Sequence, residues 1–316
     1  MTAAPDVFDV LTFGETMANL RGQGAMRLGG TFKMTVAGAE SNVAVGLARL
    51  GHRVRWAGRV GADETGALVL RTLRAEGVDV TAAGVDEDAP TGLMLLEHRT
   101  ADLVRVEYHR KGSAASRIRP AALTPALADG ARLLHVTGIT PALSPTAADS
   151  VAAAVEHAHA HGWTVCLDVN HRPRLWSRAD AARALRPLLS GVDILVASAD
   201  ELAIVVDDEQ EPEKALLGNG IREVVVTDGK AGAHVVDGTG RIARPAASVT
   251  AVDPVGAGDA FVAGYLSARL DGLPVTERLD RAVAVAGFAV ATYGDWEGLP
   301  TRAELALAGH RDGTVR

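Results

Sequence analysis

Short apolar runs alternate with stretches of helical spacing along most of the chain. Residues 10–13 (VLTF), 133–138 (LLHVTG), 164–170 (TVCLDVN), 193–198 (DILVAS) and 223–229 (EVVVTDG) are nearly continuous in apolar character. That is the pattern of strands covered on both faces, as in parallel sheets. Between them, residues 39–51 (AESNVAVGLARLG) put Val43, Leu47 and Leu50 on one helical face, with Gly51 able to end the helix. Segments 146–161 and 178–190 carry the same helical signal. Repeated strand–helix units predict an α/β fold with a doubly wound, mostly parallel central sheet flanked by helices.

Two regions break this rhythm. Residues 15–36 are rich in glycine and lack a helix signal, and residues 91–110 read as two strands joined by a turn around Thr100–Asp102. Both are assigned to a small β lid. With no internal repeat, low-complexity block or linker in view, residues 1–316 read as a single domain with the lid inserted at about 15–36 and 91–110. The C-terminal HRDGTVR is expected to be loose.

Composition narrows the partners. Apolar residues make up 47% and charged residues 22%, enough for a sizeable core. A formal charge of −7 argues against a nucleic-acid partner. The one cysteine, Cys166, excludes an internal disulfide and reads as core packing. Residues 1–9 lack the regions of a signal peptide. The apolar run 282–293 is too short to span a bilayer and reads as a buried helix. A cytoplasmic protein with no membrane association is expected. His157 and His161 lie one helical turn apart, but no third ligand is evident, and Gly162 marks a helix end where histidine is favourable.

In an open α/β sheet, ligands bind beyond the carboxyl ends of the strands. Asp168, Asn170 and Arg172 follow one strand there, Ser198 and Glu201 the next, and Thr227, Asp228 and Gly229 a third. The stretch VDPVGAGDAF (252–261) adds a glycine turn opening a helix, with Asp259 in its first turn. Free amides at a helix start attract anions. Taken alone, Asp259 either complements the helix dipole, worth about 0.3–1 kcal/mol, or serves as a base beside an anion hole built from Gly256, Ala257 and Gly258.

DPVGAGDAF resembles the C-terminal signature of the ribokinase (PfkB) family of carbohydrate kinases, and residues 37–66 (AGAESNVAVGLARLGHRVRWAGRVGADETG) resemble its N-terminal one. The resemblance runs over about residues 8–308. It implies a ribokinase-like fold, Asp259 as catalytic base, the 256–258 amides as anion hole, ATP and Mg²⁺, and a lid that often makes a homo-oligomer contact. Three stretches resemble the 2-keto-3-deoxygluconate kinases of that family most. AGAESNVA would offer Gly38 and Asn42 to the acceptor. VEYHRKGSAAS would offer Tyr108 and Arg110, the latter to a sugar-acid carboxylate. LDVNHRPRLW would set Asn170 and Arg172 beside the phosphates and acceptor. GDWEGLP adds Asp295 toward the substrate hydroxyls. Thr227, Gly229 and Gly232 would line the nucleotide, Ala286 and Gly287 its adenine, and Glu201 the water shell of Mg²⁺.

Three departures stand out. Ser198 replaces the family's usual Asn, Pro254 replaces a Thr and bears on any monovalent-cation site near Asp253, and Met94 stands where a Tyr is frequent. The resemblance thus implies an ATP-dependent kinase for 2-keto-3-deoxygluconate, acting at the terminal C6 hydroxyl. Fructokinase is the alternative within the family. A dinucleotide-dependent dehydrogenase would need Gly-x-Gly-x-x-Gly after the first strand, which FGETMANLRG does not supply. A nucleotide-binding regulator without turnover would not need Asp259.

Overall fold

The structure is a computed structural model that describes residues 7–100, 103–207 and 210–308. Residues 101–102 at the centre of the expected lid turn lie outside the described residues, as does the C-terminal segment expected to be loose.

The central sheet has eight strands: β1 (Phe8–Thr12), β4 (Val54–Trp56), β9 (Ala131–Thr137), β10 (Thr164–Asp168), β11 (Ile194–Ser198), β12 (Glu223–Thr227), β13 (Ala233–Asp237) and β14 (Gly240–Arg244). Their order is β14-β13-β12-β11-β10-β9-β1-β4. Pairing is parallel except for the antiparallel edge β12-β13-β14. All five expected strands are present. The two-sided apolar pattern has its expected cause. Val10, Leu133, Cys166 and Ile194 face one layer of helices, and Leu11, Leu134, Leu167 and Leu195 face the other. The first layer holds α1 (Ala39–Arg49), α2 (Glu64–Ala75), α8 (Ala257–Leu270) and α9 (Val275–Val290). The second holds α3 (Pro120–Ala128), α4 (Pro145–Ala160), α5 (Arg178–Leu185), α6 (Leu202–Val205) and α7 (Pro212–Gly218).

Two helices depart from expectation. The stretch 178–190 is α-helical only to Leu185 and continues as a 3₁₀ turn over Arg186–Gly191. Pro187 has no N–H to extend the ladder. The apolar run 282–293 lies on α9, which buries only one side, through Leu279, Ala282, Val285, Gly287 and Ala289. Its alanines and glycines look apolar in sequence but carry little area to bury. Among the described residues no helix is long and apolar enough to cross a membrane.

The irregular regions form a second sheet, as expected. β2 (Met17–Gln23), β3 (Phe32–Ala37), β7 (Leu93–Thr100) and β8 (Leu103–His109) pair in the order β3-β2-β7-β8. β2 and β7 run parallel; the outer pairs are antiparallel. One face carries Met17, Ala37, Met94 and Leu96, with Tyr108 and, from the loop before α8, Val255 packed against them. A two-stranded ribbon, β5 (Arg59–Gly61) with β6 (Gly84–Asp86), completes the fold.

One buried acid fastens α8 to the sheet. Glu223, at the start of β12, accepts from Tyr265 Oη of α8 at 2.6 Å and from Arg278 of α9 at 2.8 Å, and it also pairs with Arg269 of α8. Removing one partner of a buried ion cluster leaves the others uncompensated, at about 3–5 kcal/mol. Glu223→Ala is therefore expected to lower the unfolding free energy by that amount in urea titration, and a loss below about 1 kcal/mol would show the cluster to be solvated.

Candidate active site

The carboxyl ends of β9 to β12 and the start of α8 meet at one place. Gly256 caps α8 with φ +77°, and a Cβ there would lie 2.0 Å from the carbonyl oxygen of Asp295, so this position requires glycine twice over. Ala257 and Gly258 form the first turn. The amide of Ala257 leans on the Pro254 carbonyl at 3.3 Å, whereas Gly258 opens onto free space. Asp259 follows, 8% exposed, and its Oδ2 accepts from Asn42 Nδ2 at 2.7 Å. Burial raises the proton affinity of Asp259 above its ordinary value. The Asn42 bond, the charge of Arg172 and a bond from Asn170 pull against it. Asn42 was expected to meet a polyol; here its amide is turned onto the carboxylate.

Further acids crowd the same region. Glu40, one turn before Val43 on α1, is fully buried. Its Oε1 accepts from Thr137 at 2.7 Å and Thr140 at 2.6 Å, while Oε2 has no partner. Burial pushes its proton affinity up. Asp168, at the end of β10, is pushed to about 8, by burial first and by the neighbouring Glu201 second. It accepts from Asn170 Nδ2 at 2.7 Å. Asn170 has φ +42°, the one positive value at a non-glycine among the described residues, and its Oδ1 is buried without a partner. Glu201 accepts the backbone amides of His171 at 2.6 Å and Ser198 at 2.7 Å, tying the loops after β10 and β11 together. The contact of Ser198 with Glu201 is thus made by its main chain. The orphaned Asn170 oxygen and the two carboxylates are hard donors of the kind Mg²⁺ uses through its waters. Among the described residues no group of three side chains forms a ready-made metal site, and this holds for His157 and His161, whose rings stack at 4.0 Å.

The second sheet supplies the opposite wall. Gly38 sits where a Cβ would come 2.3 Å from the Glu15 carbonyl, which lets α1 start against the second sheet. Tyr108 and Arg110 alternate as expected, with the guanidinium 5.4 Å from the Tyr108 ring. Arg110 is not a free cation: its Nε and Nη2 both bind Glu15 Oε2 at 2.5 Å. Arg172 is exposed, with no carboxylate in contact among the described residues. Tyr108, Arg110 and Arg172 line one cleft of about 570 Å³, with Arg174 and Leu175 beside them. Asp295 does not face this cleft freely. Its Oδ1 takes Arg21 of β2 at 2.5 Å and Asn19 at 3.4 Å, and Arg21 also pairs with the fully buried Asp253. Burial moves Asp295 up to about 7, with Arg21 opposing.

The residues expected at the nucleotide are more dispersed. Thr227 ends β12 in register with Ser198, beside the acidic loops. Gly229 is open to space, but at Gly232, with φ +113°, a Cβ would come 2.1 Å from the Arg244 carbonyl oxygen, so close packing requires glycine there. Residues 226–235 do form an antiparallel hairpin, β12 with β13. Ala286 is half-buried on α9, and Gly287 packs on Ala247. Cys166 is buried in the core, as expected. The sequence reading passed over Glu15, Asn19, Arg21 and Glu40. Asn19 and Arg21 alternate on β2, a polar stripe inside a segment assigned to the lid without its strands being resolved.

A buried carboxylate beside a glycine turn, under a small covering sheet on a doubly wound fold, defines a phosphoryl-transfer protein of the ribokinase-like class. The family description "pfkB family carbohydrate kinase" matches residues 8–302, and the chain belongs to that family of ATP-using phosphotransferases. It is 38% identical to the 2-dehydro-3-deoxygluconokinase of Bacillus subtilis (strain 168), over 94% of each chain. It is 34% identical to the 2-dehydro-3-deoxygalactonokinase of Haloferax volcanii, over 98% of this chain and 99% of that one. The crystal structure of a PfkB protein from Polaromonas sp. JS666 superposes with a TM-score of 0.85 at 36% identity, covering 96% of this chain and all (100%) of that one.

Asp168 makes stability depend on pH. Its value of about 8 in the fold lies above the ordinary 3.8, so between these the folded state keeps a proton that the unfolded chain has released. Stability then falls as pH rises through that window. Thermal melting should show this decline in the wild type and a shallower one in Asp168→Asn; parallel curves would show that another group holds the proton.

Proposed function

We propose that this chain is an ATP-dependent sugar-acid kinase that phosphorylates 2-keto-3-deoxygluconate (2-dehydro-3-deoxygluconate) at its terminal C6 hydroxyl. The observation that carries this reading is the pair Asn42–Asp259 at the glycine turn of α8, a buried carboxylate held by side-chain amides beside a helix start with open space at Gly258. Asp259 takes the proton of the C6 hydroxyl, that oxygen bonds the γ-phosphorus in line, and the bond from the γ-phosphorus to the β–γ bridging oxygen breaks as ADP leaves. The amides at Gly256 and Gly258, with Arg172, stabilise the charge that develops on the transferred group. Mg²⁺, held through water near Asp168, Asn170 and Glu201, would neutralise phosphate charge when bound. Arg172, exposed in the cleft and without a carboxylate partner among the described residues, suits the carboxylate of a sugar acid. The named activities of the relatives from Bacillus and Haloferax point to the same acceptor class.

In this reading residues 1–316 form one kinase domain, and the second sheet is its lid, excluding water from the reacting groups. Thr227, Gly229, Gly232 and Ala286 border the nucleotide. Met34 and Leu103 leave apolar area exposed on the lid, which supports a homo-oligomer contact there. The carboxylate of Asp253, already engaged by Arg21 and two backbone amides, is a poor ligand for a monovalent cation. The lone buried cysteine suits a cytoplasmic setting.

ADP release measured with ketodeoxygluconate, its galactonate epimer, fructose and ribose tests the substrate. Asp259→Asn should keep its fold and lose kcat by roughly 10²–10⁴-fold; near-normal turnover would remove Asp259 as base. Burial raises the proton affinity of Asp259, so the acid limb of the wild-type pH–rate profile should lie above the ordinary aspartate range. Asn42→Ala removes a bond that favours the charged form and should move that limb to higher pH. Arg172→Gln should lower kcat with either acceptor, through the charge on the transferred group, and should in addition raise KM for the sugar acid by about 10-fold or more while leaving KM for a neutral sugar little changed; equal KM effects on both would turn the assignment toward a fructokinase.

A further inference from the structure

The turn that would receive phosphate is surrounded by acids. Asp253 lies just before it, Asp295 packs its carbonyl on Gly256, and Asp259 follows. Such a setting repels an anion unless it is neutralised. Among the described residues one basic side chain contacts both Asp253 and Asp295, and it is Arg21, from the lid strand β2. It is 8% exposed, and the two acids are at 0% and 5%. His98 Nε2, on the neighbouring strand β7, lies 3.1 Å from the same guanidinium and must accept from it, because a guanidinium has no lone pair. Asp253 organises the turn: its Oδ1 accepts from Val255 N at 3.1 Å and its Oδ2 from Gly294 N at 3.3 Å. With Arg21 also on Oδ2, both oxygens are occupied. The donor set does not fit a bound monovalent cation at this carboxylate.

We propose that Arg21 is a positioning residue for phosphoryl transfer. Its fixed guanidinium takes the place of an exchangeable cation at Asp253, balances the acids around the turn 253–258, and holds that turn in the shape that receives phosphate. The inference rests on the kinase reading above. It makes the lid strand and the phosphate turn one electrostatic unit, and it makes the wild-type enzyme indifferent to K⁺.

Wild type, Arg21→Lys, Arg21→Met and the double variant Arg21→Met/Asp253→Asn are compared in tetramethylammonium and in potassium buffers. Calorimetry of ATP binding and steady-state turnover are read in parallel. Wild-type kcat should be equal in the two buffers. Arg21→Met should weaken ATP binding and lower kcat by roughly 10²-fold with acceptor KM nearly unchanged. Arg21→Lys, added guanidinium, or the Asp253→Asn change should restore part of the loss. A wild type that needs K⁺, or an Arg21→Met enzyme with normal ATP binding and kcat, overturns the proposal. So does a loss that none of the three compensations relieves. If Arg21→Met does not fold, wild-type cation independence and Arg21→Lys decide. A wild type that binds ATP but phosphorylates no sugar acid overturns the functional reading alone, because ATP binding by the variants still tests Arg21.

Discussion

Keeping carboxylates dry around the first turn of α8 is the constraint to which the rest of the site answers. Several kcal/mol are lost on burying one such ion. A hydrogen bond to a charged group returns about 1.5–3 kcal/mol, so one bond offsets only part of the loss. The acids here divide by how many partners they have. Asp253 has a guanidinium and two amides and is fully buried. Asp168 has one side-chain donor and a neighbouring acid, and it holds its proton to about 8. Asp259 lies between them, with the side-chain amides of Asn42 and Asn170 and the field of Arg172. Its proton affinity is raised by burial and lowered by these partners, the balance that the proposed base requires.

The partners come from far along the chain. Asn42 starts on α1, Arg172 follows β10, and Asp259 opens α8. They meet because parallel strands deliver all their carboxyl ends to one edge, and because α1 and α8 share the same face of the sheet. Glu223 completes the arrangement from below, fixing α8 and α9 to β12. The geometry of the turn therefore depends on packing well away from it.

Much of the fold was legible in the sequence, because two-sided burial leaves an unbroken apolar run and each run marked a strand. The second sheet was visible in part as an absence of helix signal over 15–36 and in part as two strands joined by a turn over 91–110. The glycine turn and Asp259 were readable as well, since backbone chemistry at a helix start is local. What escaped was pairing. Nothing in sequence says that Arg110 spends its charge on Glu15, or that Asp295 turns to Arg21. Arg21 itself lay in a stretch without periodicity long enough to show its face. Ion pairs between distant segments leave no local pattern, so residue types chosen for substrate were in part already committed to one another.

The parallel pairing of β2 with β7 has a consequence for how the chain reaches this state. Ala18 lies opposite Leu93, and α1, β4 and α2 fall between them. A parallel ladder closing so long a loop forms slowly. The lid should consolidate after the sheet and helices beneath it, so the nascent enzyme would hold its reactive turn open to water until the last strands join.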